Sequence, residues 1–423
     1  MEQYVIKGGK PLYGTVRVQG AKNSALPILA ATLLVEGIHE IRDVPHLSDI
    51  DVMGRILKAL GVRMRWDGNN IKLETSTIKT SRIPESLMRQ MRSSIFLMGP
   101  MLSRLHEVII TPPGGCAIGA RPIDLHLKGL SLLGAKIEEG DGFIRCTATK
   151  LRGADIHLDL PSVGATENIM MAAVRAEGIT VIRNAAREPE IADLESFLNR
   201  MGADVSGAGT PTVVIRGVPR LHSVSYEVIP DRIVAGTLAA AAAMTGGEIL
   251  LTHVVMDHMG STLELLERTG AILKFEGDSL WVKGSSQLKA VGNVVTGPYP
   301  GFPTDMQPQL MALLSVTAGS SNISERIFDG RFKHVKELVR MGAKLHPLKN
   351  SVEIEGVSHL HGATVQATDL RAGAALVIAG LAAHGTTRVL GLHHIDRGYD
   401  HLDRTLLQLG GQIQRWSGKV ASC

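Results

Sequence analysis

Leu133-Gly134-Ala135-Lys136-Ile137-Glu138-Glu139-Gly140-Asp141-Gly142-Phe143-Ile144 reads as a helix end, a glycine that stops it, and an alternating strand with a turn. The opening signature recurs as Leu60-Gly61-Val62, Met201-Gly202-Ala203, Thr269-Gly270-Ala271, Met341-Gly342-Ala343 and Leu409-Gly410-Gly411. These glycines stand roughly 70 residues apart, and a fixed period means that one supersecondary unit has been copied.

Each copy opens with an apolar helical run, at residues 23–36, 93–105, 166–177, 232–245, 306–317 and 370–383. A short β-rich run follows, such as Ile249-Leu250-Leu251 or Thr387-Arg388-Val389-Leu390. Next comes an amphipathic helix, as at 193–201 or 335–341, closed by the recurrent glycine in a C′ role. The hairpin completes a βαβαββ unit. Helices this short and apolar on nearly every face are buried, so the α/β fold keeps its helices inside the sheets. Three units close around three such helices, and six make two domains facing each other across a cleft. The first helices begin near Lys22, Arg92, Gly164, Asp231, Asp305 and Asp369. Under the pseudo-symmetry several of these N-termini point at the cleft, where free N–H groups favour an anionic ligand.

With 423 residues the chain exceeds one ordinary core, and 44% hydrophobic with 20% charged residues is typical of a soluble globular protein. The formal charge of +4 is spread along the chain, which speaks for anionic small substrates as much as for nucleic acid. Neither a nucleic-acid nor a membrane partner is expected. The first nine residues carry no apolar signal-peptide core, and the longest apolar stretch, 233–245, is too short to span a bilayer. Three cysteines, an odd number, argue for a reducing compartment, so the expected location is the cytoplasm.

Departures from the repeat mark candidate chemistry. In the second copy the loop before the second helix becomes Pro112-Pro113-Gly114-Gly115-Cys116-Ala117-Ile118-Gly119-Ala120-Arg121-Pro122. A free cysteine is usually a small buried apolar residue. Glycine-flanked on a loop, Cys116 has little to pack against, and beside Arg121 its thiol suits an acid or nucleophile. Cys146 in an alternating strand and Cys423 at the chain end read as structural. Lys22-Asn23-Ser24-Ala25-Leu26-Pro27 opens the first helix, where Asn or Ser suits an N-cap but Lys22 opposes the helix dipole. Asp305, in Phe302-Pro303-Thr304-Asp305-Met306-Gln307-Pro308, reads equally as an N-cap acid or a functional carboxylate. Asp396-Arg397-Gly398-Tyr399 stands in the last copy where Cys116 stands in the second. Arg92, Arg331 and Arg371 add cations near repeat junctions, each alone compatible with a solvated or salt-bridged arginine. No P-loop or strand-linked dinucleotide motif occurs, and the pairs His253/His258 and His359/His361 lack a zinc ligand set, so no cofactor or metal is expected.

Laid side by side, these residues closely resemble the UDP-N-acetylglucosamine enolpyruvyl transferase family. The most specific pieces are the Lys22–Pro27 run, the loop from Pro113 to Pro122, and Ser162-Val163-Gly164-Ala165-Thr166-Glu167. Asn184-Ala185-Ala186-Arg187-Glu188-Pro189-Glu190, Phe302-Pro303-Thr304-Asp305-Met306-Gln307 and His394-Ile395-Asp396-Arg397-Gly398-Tyr399 complete the set. The resemblance implies two inside-out α/β barrel domains, 22–229 with the cysteine loop and 1–21 with 230–423. It implies transfer of enolpyruvate from phosphoenolpyruvate to the 3′-hydroxyl of UDP-N-acetylglucosamine with release of phosphate, the first committed step of bacterial peptidoglycan synthesis. By motif, Lys22, Arg121 and Arg397 hold the phosphate and carboxylate of phosphoenolpyruvate. Cys116 is the loop acid, able to form a covalent adduct with phosphoenolpyruvate, and Asp305 is the base. Asn23, Arg92, Pro122, Ile123, Asp124, Leu125, Ser162, Val163, Gly164, Ile327 and Arg331 belong to the substrate site, with Asp369 and Arg371 near the phosphate-transfer centre. Some family members carry lysines where this chain has His46, Ser48 and Leu160. The sister transferase acting on shikimate 3-phosphate shares the fold but lacks this cysteine loop. A non-catalytic UDP-sugar sensor has no need of Lys22, Cys116, Asp305 and Arg397 together.

Overall fold

A computed structural model describes residues 2–112 and 123–418. They pack as two compact units, one of residues 2–19 and 230–418, the other of 20–112 and 123–229.

In the unit that starts at Gly20, the third repeat displays the motif most plainly. Strand Asp155–His157 leads to helix Val163–Ala173, strand Ile179–Arg183, helix Pro189–Arg200 and the hairpin Asp204–Ser206 with Thr212–Arg216. Ile179–Arg183 pairs in parallel with Asp155–His157 and antiparallel with Thr212–Arg216, giving a four-stranded mixed sheet. Sheets built on Ile38–Arg42 and Glu107–Ile110 repeat the pattern, the latter three-stranded with a lone parallel bridge from Arg82 to Ile109 in place of the fourth strand. The helix runs between them are mostly apolar and buried along nearly their whole length, as in Lys22–Ala31 and Val163–Ala173. The other unit follows the same plan: helices Arg232–Thr245, Gln307–Leu314 and Leu370–Ala382 pack on one another at its centre, inside three four-stranded sheets. Helices inside and sheets outside follow from which elements are apolar on every face and which on only one.

All six recurrent glycines end their helices in the left-handed region, with φ of +112° at Gly61, +96° at Gly134, Gly202 and Gly270, +91° at Gly342 and +80° at Gly410. A side chain is strained in that conformation, which is why the repeat is written with glycine there. Close helix packing needs another glycine, because a Cβ on Gly99 of helix Met98–Leu105 would lie 2.3 Å from the Asn168 carbonyl of helix Val163–Ala173.

Six consecutive copies are not six self-contained sheets. The first repeat's sheet is completed by Ser225–Glu227, parallel to Ile38–Arg42, and the fourth's by Tyr13–Arg17, parallel to Glu248–Thr252. In the sixth, Glu2–Lys7 inserts between Thr386–Leu390 and Gln412–Ser417. Such partners are chosen by the closure of each ring of sheets, which leaves no periodicity in a strand of only three residues such as Ser225–Glu227.

One core group has a measurable consequence. His39, on strand Ile38–Arg42, is wholly buried, and neither ring nitrogen has a hydrogen-bond partner among the described residues. Burial, with a smaller push from Arg104, lowers its pKa to about 4. The unfolded chain takes up a proton near pH 6.5 that the native state refuses, so this contribution is present above that pH and lost as pH falls toward 4. At pH 5 the loss is about 2 kcal/mol. Urea unfolding at pH 7 and pH 5 should show His39→Phe losing less stability than wild type across this interval; an equal loss in both proteins would contradict the assignment.

Candidate active site

The unit that starts at Gly20 brings four of the marked stretches into order. Lys22 is the first residue of helix Lys22–Ala31 and is buried, its Nζ donating to Asp49 Oδ2 at 3.3 Å. Asp49 sits in the first turn of helix Ser48–Leu60, so a buried carboxylate offsets the cation that the dipole disfavours. Neither Asn23 nor Ser24 caps this helix, contrary to the capping alternative. Ala21 occupies the cap position without a side-chain bond, and the Ser24 hydroxyl bonds the Asp193 carboxylate instead. That leaves Asn23 half-buried at the helix start.

Ser162 does cap its helix, Oγ accepting from the Ala165 amide at 3.3 Å, with Val163 and Gly164 in the first turn. A Cβ on Gly164 would lie 3.1 Å from His126 and 3.2 Å from Phe96. Gly164 therefore lets the helix Asp124–Leu132, through His126, and the turn Arg92–Leu97, through Phe96, approach the start of helix Val163–Ala173. His126 went unmarked in the sequence. It is buried, and its Nδ1 accepts from Asn168 Nδ2 at 2.9 Å, while that amide also donates to the Ile95 carbonyl and accepts from the Gly99 amide. A histidine and an asparagine in separate helices give no spacing signal. In the same helix Glu167 is fully buried, and its pKa is held well above the carboxylate range by burial and then by Glu190 and Glu188.

The other unit holds a second constellation. Asp305 lies within the short turn Thr304–Met306, whose cap is Pro303, so it is not the N-cap acid. Its carboxylate instead accepts from Arg331 Nη2 at 2.8 Å through Oδ1, and from Arg371 Nε and Nη2 at 3.1 and 3.0 Å through Oδ2. The side chain of Asp305 is 28% exposed while those of Arg331 and Arg371 are 3% and 1% exposed. Burial works against the charge on Arg371, yet the attraction of Asp305, joined by Tyr399 and Asp231, holds its pKa above the ordinary arginine value. An accessible carboxylate is thus held in place by two cations anchored in the core. Asp369 caps helix Leu370–Ala382, accepting from the Arg371 and Ala372 amides at 3.0 and 3.1 Å, and Asp231 caps Arg232–Thr245 likewise. Asp369 thereby fixes the backbone from which Arg371 projects. Ile327 follows strand Ser320–Ser324, its amide donating to Glu325 Oε1 at 2.7 Å, and Arg397 is half-buried in the turn after Leu392–Ile395.

Cys116, Arg121 and Pro122 lie outside the described residues, as does Cys423. Cys146 is buried on strand Phe143–Thr147, and burial raises its thiol to about 11. Among the described residues no group of three or more His, Cys, Asp or Glu side chains is arranged to hold a metal ion, and no helix is long and apolar enough to cross a membrane. His46 stacks on Trp66 at 4.3 Å between ring centroids, Ser48 opens its helix, and Leu160 is exposed.

Residues 6–406 match the family model described as EPSP synthase (3-phosphoshikimate 1-carboxyvinyltransferase). The chain is 54% identical to UDP-N-acetylglucosamine 1-carboxyvinyltransferase 2 of Caldanaerobacter subterraneus subsp. tengcongensis over 415 residues, covering 98% of this chain and all of that protein. It is 51% identical to UDP-N-acetylglucosamine 1-carboxyvinyltransferase 1 of Carboxydothermus hydrogenoformans over 419 residues, 99% of either chain. The solved enolpyruvyl transferase NikO from Streptomyces tendae superposes with a TM-score of 0.88 at 26% identity over 98% of both chains. EPSP synthase from Acinetobacter baumannii shares the fold alone, at a TM-score of 0.78 and 20% identity over 99% of this chain and all of that one. Full-length identity above half, with six repeats shared between two units, makes this chain a member of the enolpyruvyl transferase family, within its UDP-N-acetylglucosamine 1-carboxyvinyltransferase branch.

Proposed function

We propose that this enzyme transfers the enolpyruvyl group of phosphoenolpyruvate to the 3′-hydroxyl of UDP-N-acetylglucosamine, releasing phosphate, as the first committed step of peptidoglycan synthesis. Full-length identity with the named relatives supports the reaction. The observation that carries the assignment of roles is the accessible Asp305 carboxylate fixed by buried Arg331 and Arg371. Segments 22–229 and 1–21 with 230–423 act as two domains that each supply part of the machinery. With three cysteines and soluble anionic substrates, the cytoplasm is its compartment.

Addition of an alcohol across an enol double bond needs a proton at the methylene carbon, a base at the hydroxyl, and fixed cations around a substrate carrying phosphate and carboxylate. Cys116 gives the proton to the methylene carbon, Asp305 takes the 3′-hydroxyl proton, and the oxygen bonds the carbon that bears the phosphate. The second step removes a proton from the new methyl group, re-forms the double bond and breaks the bond to phosphate. Lys22, Arg121 and Arg397 hold the phosphate and carboxylate throughout. Asn23, Arg92, Pro122, Ile123, Asp124, Leu125, Ser162, Val163, Gly164, Ile327 and Arg331 bind the UDP-sugar, and Asp369 and Arg371 support the transfer centre. Phosphate release with phosphoenolpyruvate and UDP-N-acetylglucosamine, but not with shikimate 3-phosphate, is the expected result. Release with shikimate 3-phosphate alone, or UDP-sugar binding without any turnover, overturns the reading.

Cys116 also gives a labelling prediction. Only the thiolate attacks an epoxide, and Cys146 at about 11 is almost wholly protonated at neutral pH. An epoxide phosphonate that mimics phosphoenolpyruvate should modify Cys116, faster when UDP-N-acetylglucosamine is present. Peptide mapping with most of the adduct on Cys146 or Cys423 would remove Cys116 from the mechanism.

A further inference from the structure

Three buried helices meet at the centre of the unit that holds Asp305, and their facing surfaces are almost wholly apolar. Thr237, Gln309 and Arg371, one from each helix, break that pattern and converge on Tyr399, all four at most 2% exposed. The Thr237 hydroxyl donates to the Ile233 carbonyl at 2.7 Å, so in its 3.0 Å contact with the Tyr399 hydroxyl it is the acceptor. Gln309 Nε2 donates to both, at 3.0 Å to Thr237 and 3.2 Å to Tyr399. These bonds fix the phenol ring in the plane it occupies, and the guanidinium carbon of Arg371 lies 5.4 Å from the ring centroid, within cation–π range.

An apolar trio would serve the core at least as well. The cluster even leaves Gln309 Oε1 and Arg371 Nη1 buried without a hydrogen-bond partner among the described residues, which costs stability. What the cluster does is set Tyr399 against Arg371, whose Nε and Nη2 bind Asp305. We infer that Tyr399, anchored by Thr237 and Gln309, is a positioning residue that sets Arg371 and through it the aim of the Asp305 carboxylate at the sugar hydroxyl.

This rests on Asp305 being the base, and the test separates the two ideas. Turnover, KM for each substrate and calorimetric binding of UDP-N-acetylglucosamine are measured for Tyr399→Phe, Tyr399→Leu, Arg371→Lys, Arg371→Lys/Tyr399→Leu and Asp305→Asn. Loss of the hydroxyl anchor should lower kcat by about 3–10-fold, and loss of the ring by about 30-fold, the scale of a desolvated cation–π contact. KM for the UDP-sugar should stay within about twofold, since an effect on the reacting geometry appears in kcat. Because Tyr399 acts through Arg371, adding Tyr399→Leu to Arg371→Lys should lower kcat by less than about threefold more. Wild-type kcat in both Tyr399 variants, or full additivity with Arg371→Lys, overturns the inference. Tyr399→Phe keeps the ring volume and decides the matter alone if Tyr399→Leu does not fold. Should Asp305→Asn turn over normally, the base assignment fails, while the double-mutant comparison still reports whether Tyr399 works through Arg371.

Discussion

Asp305→Asn is expected to bind UDP-N-acetylglucosamine and to lose turnover by about 10²–10⁴-fold, the usual scale for removing a general base. The amide keeps the size of the carboxylate but cannot take the hydroxyl proton. It also presents N–H donors to Arg331 or Arg371, which now donate into Oδ1 and Oδ2 at 2.8 to 3.1 Å. Two guanidiniums at most 3% exposed then lose their counter-charge, so thermal stability should fall as well. For that reason turnover is counted per UDP-sugar-binding molecule, from calorimetry and steady-state rates on the same preparation. A near wild-type rate per binding molecule would leave Asp305 as a counter-ion for Arg331 and Arg371, with the base elsewhere.

Lys22→Gln is expected to lower kcat/KM for phosphoenolpyruvate by about 10²–10³-fold, as removal of one preorganised charge from an anionic transition state does. Lys22 and Asp49 are 8% and 4% exposed in their side chains, so the substitution also breaks up a buried ion pair. Breaking such a pair from one side is strongly destabilising, by about 3–5 kcal/mol. The double variant Lys22→Gln/Asp49→Asn removes both charges and should regain most of the melting temperature without regaining activity. Recovery of turnover along with stability would make Lys22 a structural partner of Asp49 and take it out of the phosphate site. Loss of turnover with stability restored keeps it there.

Several residues of the candidate site stood out in the sequence because the repeat supplies six comparable positions. Lys22 stood out as a cation where a helix start disfavours one, and its buried partner Asp49 explains how the position is tolerated. Asp305 stood out by motif, but sequence left it equally a helix cap; only the arrival of Arg331 from farther along its own repeat and Arg371 from the next decided that it is not. His126 and Tyr399 carry no spacing signal, since each matters through side chains on other helices, Asn168 for one and Thr237, Gln309 and Arg371 for the other.

The sequence by itself determined the repeated βαβαββ unit, the buried helices and the glycine stops, because each depends on residues within a turn or two along the chain. Apolar periodicity decides which helices go inside, and a positive φ decides where glycine must stand. Only the tertiary structure decided that Ser225–Glu227, Tyr13–Arg17 and Glu2–Lys7 complete the sheets of distant repeats, and that two arginines far along the chain grip Asp305. Those partners are chosen by closure of the chain in space. Residues brought together that way share no periodicity along the chain, so their pairing has no local record in the sequence.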